Sequence, residues 1–240
     1  MQSEVLIYKA DGLTMHGHLY MEAGTSGKRP GILVFPDAGG LGEQAKSRAQ
    51  RLAGLGYVAL ACDLHGEGKR ITDMPTMMGL LGILRNAPER ARDRAGAALK
   101  TLAARPEVDP TRIAAIGFCF GGTLSLELAR SGAPIAGVVG FHSGLATSTP
   151  QDASQIKGKV LVCIGADDPI VPAEQRAAFE KEMTEGGVDW RMNLYGGAGH
   201  SFTNPGSSAL GRPGFEYNEK ADTRSWRAML DLFDEVIGPV

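Results

Sequence analysis

Short, continuous apolar runs alternate with helix-like segments along most of this 240-residue chain, and that alternation restricts the folds open to it. Strands buried on both faces form unbroken apolar runs, and parallel neighbours need a crossover that is usually a helix. The pattern therefore predicts an α/β fold, with a mostly parallel sheet and helices on both faces. The strand-like runs are GILVF, YVALAC, RIAAIGF, IAGVVGF, KVLVCIG and WRMNLY.

Helical periodicity fills the intervals between these runs. Ala91, Ala95 and Leu99 recur at helical spacing behind Pro88, which suits a helix N-terminus. The dipeptide Asp11-Gly12 predicts a hairpin turn between two further strands. Neither an internal repeat nor a linker interrupts the pattern, so we expect one domain over residues 1–240. The predicted helices are 43–54, 87–104, 121–131, 173–186 and 217–236.

The segment 63–86 departs from this rhythm. It is long, contains several glycines, and carries Met74, Met77 and Met78. Long excursions from compact domains often form lids or binding loops, and methionine suits an adaptable apolar pocket. A surface helix that packs its Met and Leu side chains inward is the alternative.

Composition excludes several classes of function. The net charge is −2 with no basic run, so we expect no nucleic-acid partner. No apolar run approaches the roughly 20 residues of a membrane span, and the first residues lack the features of a signal peptide. Three cysteines, two of them in apolar runs, favour a reducing compartment, and we expect a cytoplasmic protein. The oligomeric state stays open.

One cysteine stands in a motif that carries chemistry. Cys119 lies between Gly117 and Gly121, after a predicted strand and before a predicted helix. That context is typical of a nucleophile elbow, a sharp turn whose neighbours must be small. The helix N-terminus would favour the reactive thiolate. The alternative is a buried structural cysteine in a glycine-rich turn.

A cysteine nucleophile needs a base, and the base needs a partner that orients it. Asp167 and Asp168 follow one predicted strand, and His200 follows the next within a glycine-rich loop. Nucleophile, acid and histidine then come in α/β-hydrolase order, although the residues do not separate the two aspartates. His65 is a candidate substrate contact or part of a surface loop, and for His142 a hydrogen-bonded interior position is expected.

Two backbone amides are candidates for an oxyanion hole. One is the N–H of Phe120, directly after the nucleophile, and the other is that of Ala38 in the loop after GILVF. The glycines of that loop also suit a plain turn or a phosphate cradle, but the Gly-Lys-Ser/Thr of a P-loop is missing.

Five stretches together resemble the dienelactone hydrolase family of α/β-hydrolases, over about residues 5–237: VFPDAGGLG, GYVALACDLHGEG, IGFCFGG, GADDPIVP and GAGHSFTNP. The resemblance implies an α/β-hydrolase fold and a carboxymethylenebutenolidase-like Cys-His-Asp triad of Cys119, His200 and Asp168. It also implies that Asp37 takes the place of an acidic residue that contacts the resting cysteine. Asp37, His65 and Asn204 are our candidate substrate-binding residues.

Two positions depart from the family pattern. Glu67 and Asn204 stand where members that take dienelactone carry carboxylate-binding arginines, and Lys69 or Arg70 is a possible substitute. We therefore expect a small-molecule ester or lactone other than dienelactone, hydrolysed without metal or cofactor. The alternative is a thiol sensor or binding protein of the same fold that shows no turnover.

Overall fold

The predicted strands are present and join a single sheet. A computed structural model describes residues 1–24 and 27–240, and its strands are β1 (Gln2–Ala10), β2 (Leu13–Met21), β3 (Arg29–Phe35), β4 (Val58–Ala61), β5 (Val108–Phe118), β6 (Gly137–Phe141), β7 (Lys159–Gly165) and β8 (Trp190–Tyr195). Within the described residues the order across the sheet is β1-β2-β4-β3-β5-β6-β7-β8. Strands β3 to β8 run parallel, whereas β1 and β2 form an antiparallel hairpin at one edge. The hairpin turns at Asp11 and Gly12, both with positive φ.

Helices cover both faces of the sheet, as the alternation predicts. They are α1 (Glu43–Ala53), α2 (Met74–Asn86), α3 (Pro88–Ala103), α4 (Phe120–Arg130), α5 (Ala173–Glu185) and α6 (Glu219–Ile237). One buried cluster joins the sheet to α1 and α6, and the other joins it to α2 through α5. Neighbouring strand residues alternate between the clusters: Leu33 belongs to one and Val34 to the other. Burial on both faces is the reason for the unbroken apolar runs, and the structure confirms the α/β-hydrolase fold.

Just over half of the segment 63–86 is helical, since α2 begins at Met74 and ends at Asn86. Leu81 and Leu84 of α2 are buried, and Met77 packs partly against the core. Met74 and Met78 instead expose about half of their surface (46% and 49%), so the expected inward packing holds for the leucines but not for these two methionines. None of the helices in the described part of the chain combines the length and apolarity that a membrane crossing requires.

Candidate active site

The turn between β5 and α4 holds Cys119 in a strained conformation. Its φ is 54° and its ψ is −118°, a region that residues other than glycine rarely adopt. Both flanking positions need glycine because a side chain would not fit there, not because of their backbone conformation. A Cβ at Gly117 would lie 2.0 Å from the Gly121 carbonyl oxygen, and one at Gly121 would lie 2.3 Å from that of Phe35. The backbone N–H of Cys119 donates to the Phe141 carbonyl at 3.0 Å, which ties the turn to β6.

The histidine that follows β8 contacts the second of the two candidate aspartates. His200 Nδ1 lies 2.8 Å from Asp168 Oδ2, and both side chains are buried. The other carboxylate oxygen of Asp168 accepts the backbone N–H groups of Ile170 (2.8 Å) and Val171 (3.3 Å). Asp167 is exposed. The structure thus separates two neighbours that the residues alone leave equivalent.

His200 also interacts electrostatically with the sulfur of Cys119. Burial by itself lowers the pKa of His200. The negative charge of the Cys119 sulfur and hydrogen bonds to Asp168 and Cys119 outweigh that effect, and they raise the pKa to about 10. The raised pKa favours the protonated, imidazolium form of the His200 ring at neutral pH.

Two aromatic rings enclose His200. The His142 ring stands edge-on to it at 5.1 Å between centroids, and Phe215 does the same at 5.2 Å. As expected, His142 is an interior histidine, with Nε2 2.8 Å from Thr203 Oγ1. Burial and the neighbouring His200 hold its pKa well below the usual value. No sequence signal pointed to Phe215, because its loop carries no catalytic motif.

The remaining cysteines differ from Cys119 in their surroundings. Cys62 and Cys163 are fully buried, whereas Cys119 is partly exposed, and all three are free thiols. Burial raises the pKa of Cys62 strongly and that of Cys163 to about 12. Neither is therefore a thiolate at neutral pH.

The loop after β3 and the start of α4 each present a backbone donor. The carbonyl of Asp37 accepts the N–H of Gly40 at 3.0 Å, which closes a four-residue turn. Among the hydrogen bonds of the described residues, none uses the N–H of Ala38 or Phe120. Both amides that the sequence proposed for an oxyanion hole are thus available.

The three candidate substrate contacts have different surroundings, and their role in substrate binding stays a prediction. The Asp37 carboxylate accepts the N–H of Gly39 at 2.8 Å and lies 3.8 Å from Arg70 Nη1. His65 is buried, so it does not belong to a surface loop, and its Nε2 is 2.9 Å from the Ala38 carbonyl oxygen.

Asn204 lies apart from these groups. Its side-chain oxygen accepts the N–H of Gly206 at 3.0 Å, and it lines a surface groove beside Arg48 and Asp222. Glu67 is exposed and pairs with Lys69 at 2.8 Å. Glu67 and Asn204, which stand where arginines are expected, thus make their contacts with other groups. Of the two possible substitutes, Arg70 is the one whose side chain lies beside Asp37, in the candidate oxyanion loop.

A cavity of about 360 Å³ adjoins the elbow. Phe120, which follows the nucleophile, and Ile170, which follows the acid, form part of its wall. Arg85 stands at this wall with its guanidinium 5.8 Å from the centre of the Phe120 ring. Glu127 also lines the cavity, and the rest of the wall is apolar or uncharged: Leu84, Pro88, Ala91, Thr123, Gly144, Ala146, Thr147, Ser148 and Gln175.

Known proteins are similar to this chain in sequence and in fold. A relative from Bradyrhizobium sp, named "Probable 2-oxo-3-(5-oxofuran-2-ylidene)propanoate lactonase", is 30% identical over 191 residues, which cover 74% of this chain and 75% of the relative. The solved structure of m3DLH is 48% identical, with a TM-score of 0.96 over 98% of each chain. That of the dienelactone hydrolase-like promiscuous phosphotriesterase P91, from metagenomic libraries, is 44% identical, with a TM-score of 0.95 over 99% of each chain.

The sequence profile of the Dienelactone hydrolase family matches residues 15–237, which is nearly the whole chain. The matched range contains the elbow, the loop after β3 and the loops that carry Asp168 and His200. The eight-stranded sheet and these matches lead to one conclusion: the chain is a hydrolase that belongs to the dienelactone hydrolase family.

Proposed function

We propose that the chain hydrolyses a carboxylic ester or lactone, with Cys119 as nucleophile, His200 as general acid and base, and Asp168 as the partner that orients His200. The observation that carries this proposal is the buried 2.8 Å contact between Asp168 and His200, together with the electrostatic interaction of His200 with the Cys119 sulfur. Cys119 is also the partly exposed cysteine of the three. Its strained turn follows the C-terminal end of β5, and ligands bind at the C-terminal ends of the strands in open α/β folds.

In the first step the Cys119 thiolate attacks the carbonyl carbon, and the carbonyl oxygen becomes an oxyanion. The N–H groups of Phe120 and Ala38 are the donors for that oxyanion. The intermediate then collapses and the bond to the alkoxide breaks, while the His200 imidazolium gives its proton to the leaving oxygen. A thioester and an alcohol result; from a lactone, both groups stay on one acyl chain.

In the second step neutral His200 takes a proton from water, and the resulting hydroxide attacks the thioester. The same two amides hold the second oxyanion. Its collapse releases the carboxylic acid and returns Cys119 as a thiolate beside the imidazolium. All protons in the cycle pass between substrate, water and His200, with Asp168 holding Nδ1 throughout.

The cavity beside Phe120 suits a mostly apolar acyl or alcohol arm. Its wall is largely apolar, and the negative Glu67 occupies one of the positions where a carboxylate-binding arginine is expected. We therefore expect p-nitrophenyl butyrate to be hydrolysed with a higher kcat/KM than dienelactone. A higher value for dienelactone would contradict this part of the proposal.

Hydrolysis of p-nitrophenyl acetate tests the nucleophile. The wild type should release a burst of nitrophenol and then turn over steadily, and Cys119→Ala should lower kcat at least about 1,000-fold. Cys163→Ala is the matched control and should keep its turnover, because that thiol is buried in β7. Undiminished turnover in Cys119→Ala would contradict the proposal. One acylation of Cys119 per chain without turnover would favour the thiol sensor instead.

A further inference from the structure

We propose that His65 is a positioning residue for the oxyanion hole, which it orients by donating its Nε2–H to the carbonyl of Ala38. This inference rests on the proposed function, because it takes the N–H of Ala38 as an oxyanion donor. The sequence suggested His65 as a substrate contact, but its contacts in the structure are with the turn and not with an open pocket.

The turn Asp37–Gly40 can be followed one peptide group at a time. In the peptide between Asp37 and Ala38, the carbonyl accepts the N–H of Gly40 and the Ala38 N–H stays available. In the next peptide, the N–H of Gly39 donates to the Asp37 carboxylate at 2.8 Å, and the carbonyl of Ala38 faces His65 Nε2 at 2.9 Å. Rotation of this second peptide would swing the first, and with it the donor, out of place. By bonding to the Ala38 carbonyl, His65 therefore fixes the Ala38–Gly39 peptide group, and this group in turn fixes the direction of the Ala38 N–H.

The position of the ring leaves it little freedom. His65 is 8% exposed, and a Cβ at Gly40 would lie 2.8 Å from its Cδ2 atom. Gly40 also has a φ of +91°, which glycine adopts without strain. The ring thus lies directly against the turn, and its one polar contact with the turn goes to Ala38.

The chemistry of the ring points to positioning rather than packing. A carbonyl oxygen only accepts, so Nε2 carries a proton. Burial lowers the pKa of His65 and favours the neutral ring, in which Nδ1 is then the bare acceptor. Nδ1 is buried, and no partner for it exists among the described residues. An unpaired buried acceptor costs about 1–3 kcal/mol, a cost that a phenylalanine of the same shape would not carry. The Nε2–H bond is the contribution that sets histidine apart from such a ring.

The backbone around His65 is fixed in turn by a carboxylate. Asp63 accepts the N–H of His65 (3.0 Å) and that of Gly66 (3.1 Å) through Oδ1. Its Oδ2 accepts the N–H of Gly68 (2.7 Å) and that of His16 (3.0 Å). A second tie runs from this segment to the turn, since the N–H of residue 71 donates to the Gly39 carbonyl at 2.8 Å. The segment 63–71 is thus a scaffold for the oxyanion turn.

Three substitutions at one position test the proposal. Phe keeps the ring shape without the donor, Gln places an amide nitrogen near the position of Nε2, and Asn places one near Nδ1. With p-nitrophenyl acetate we expect His65→Phe to lower kcat about 10- to 100-fold with KM within about 3-fold, because an oxyanion exists only in the transition state and intermediates. His65→Gln should recover most of the kcat, and at least about 5-fold more than His65→Asn.

The rate at which iodoacetamide alkylates Cys119 distinguishes a specific loss of the oxyanion hole from a general distortion of the site, because only a general distortion would change that rate. Displacement at a saturated carbon forms no oxyanion, so the alkylation rate of His65→Phe should stay within about 2-fold of the wild type. Full kcat in His65→Phe, or equal kcat in the Gln and Asn variants, would overturn the inference. So would an alkylation rate that falls in parallel with kcat. Where His65→Phe does not fold, the Gln and Asn pair decides.

The same set separates this inference from the proposed function. Turnover in Cys119→Ala would overturn the proposed function, and with it any role for an oxyanion hole. An inactive Cys119→Ala together with a fully active His65→Phe would overturn only the positioning role.

Discussion

The elbow around Cys119 and the turn Asp37–Gly40 lie side by side, because they follow the C-terminal ends of the neighbouring strands β5 and β3. Different interactions hold the two segments in place. In the elbow, backbone lies against backbone: a side chain at Gly117 or Gly121 would overlap carbonyl oxygens at 2.0–2.3 Å. In the turn, the His65 side chain and the backbone N–H of Ile71, both from the separate segment 63–71, donate to the carbonyls of Ala38 and Gly39. One half of the candidate site is thus fixed by steric contact within the sheet, and the other by hydrogen bonds to a neighbouring loop.

This difference has a consequence for how each half responds to change. Steric contact between backbones allows no gradual adjustment, so a substitution in the elbow should act on the stability of the fold. Hydrogen bonds from a loop can weaken while the fold survives, so a substitution behind the turn should act on kcat. Four predictions test this division, from the largest expected effect to the smallest.

Asp168→Asn should lower kcat about 1,000-fold, because an amide does not stabilise the imidazolium and can hold the wrong tautomer of His200. Steady-state hydrolysis of p-nitrophenyl acetate measures the effect. Asp167→Asn is the matched control: this neighbour is exposed, and its kcat should stay within about 2-fold of the wild type. Equal losses in the two variants would contradict the assignment of the acid.

Gly121→Ala should lower the free energy of unfolding by about 3 kcal/mol, as expected for overpacking against groups that cannot move. The new Cβ would lie 2.3 Å from the carbonyl oxygens of both Phe35 and Pro36. Urea denaturation measures the change. Gly96→Ala in α3 is the control, since no atom lies within 4 Å of its Cβ position, and it should be neutral or stabilising. A folded Gly121→Ala of wild-type stability would show that the elbow can adjust.

Asp63→Asn should lower kcat about 10-fold, which corresponds to about 1.4 kcal/mol in the barrier. An asparagine amide offers one acceptor oxygen, and its NH₂ group faces N–H groups that the carboxylate accepts. KM should change little, because the effect reaches the reaction through His65 and the turn. Asp73→Asn at the N-terminus of α2 serves as control, since asparagine also caps helices well. A loss confined to KM would place Asp63 in substrate binding instead.

The pH dependence of stability should report the charge of the catalytic histidine. Burial lowers the pKa of His200, but Cys119 and Asp168 raise it to about 10, above its value in the unfolded chain. The stabilisation is therefore complete below about pH 6.5 and is lost as the pH rises towards 10. Between pH 7 and 10 the free energy of unfolding of the wild type should therefore fall more than that of His200→Gln, as measured by urea denaturation. Equal losses would mean that the imidazole is neutral in the folded protein.

The sequence predicted the elbow half of the site better than the turn half. The residues around Cys119 carry their own steric requirement, so the motif is visible within five positions. The local sequence does not distinguish Asp167 from Asp168, because the two differ in burial and in contact with His200, which only the three-dimensional structure shows. The contact between His65 and Ala38 joins positions 27 residues apart, and no local pattern records it.

The limits of β5 show the same effect in the fold. An apolar run predicted a strand from residue 112, but β5 begins at Val108, because Val108 and Asp109 pair with Arg29 and Pro30 at the start of β3. Backbone pairing needs no apolar side chain, so hydropathy does not reveal it. The other central strands, which are buried on both faces, were predicted to within two residues at each end.

The unequal burial of the three cysteines makes the chain convenient to label. A maleimide dye added to the native protein meets Cys119, while Cys62 and Cys163 are fully buried and held as neutral thiols. A fluorophore or a surface attachment can therefore be placed at one known sulfur without first removing the other two. Because a ligand in the site would block Cys119, the amount of dye incorporated also measures the fraction of protein molecules whose site is empty.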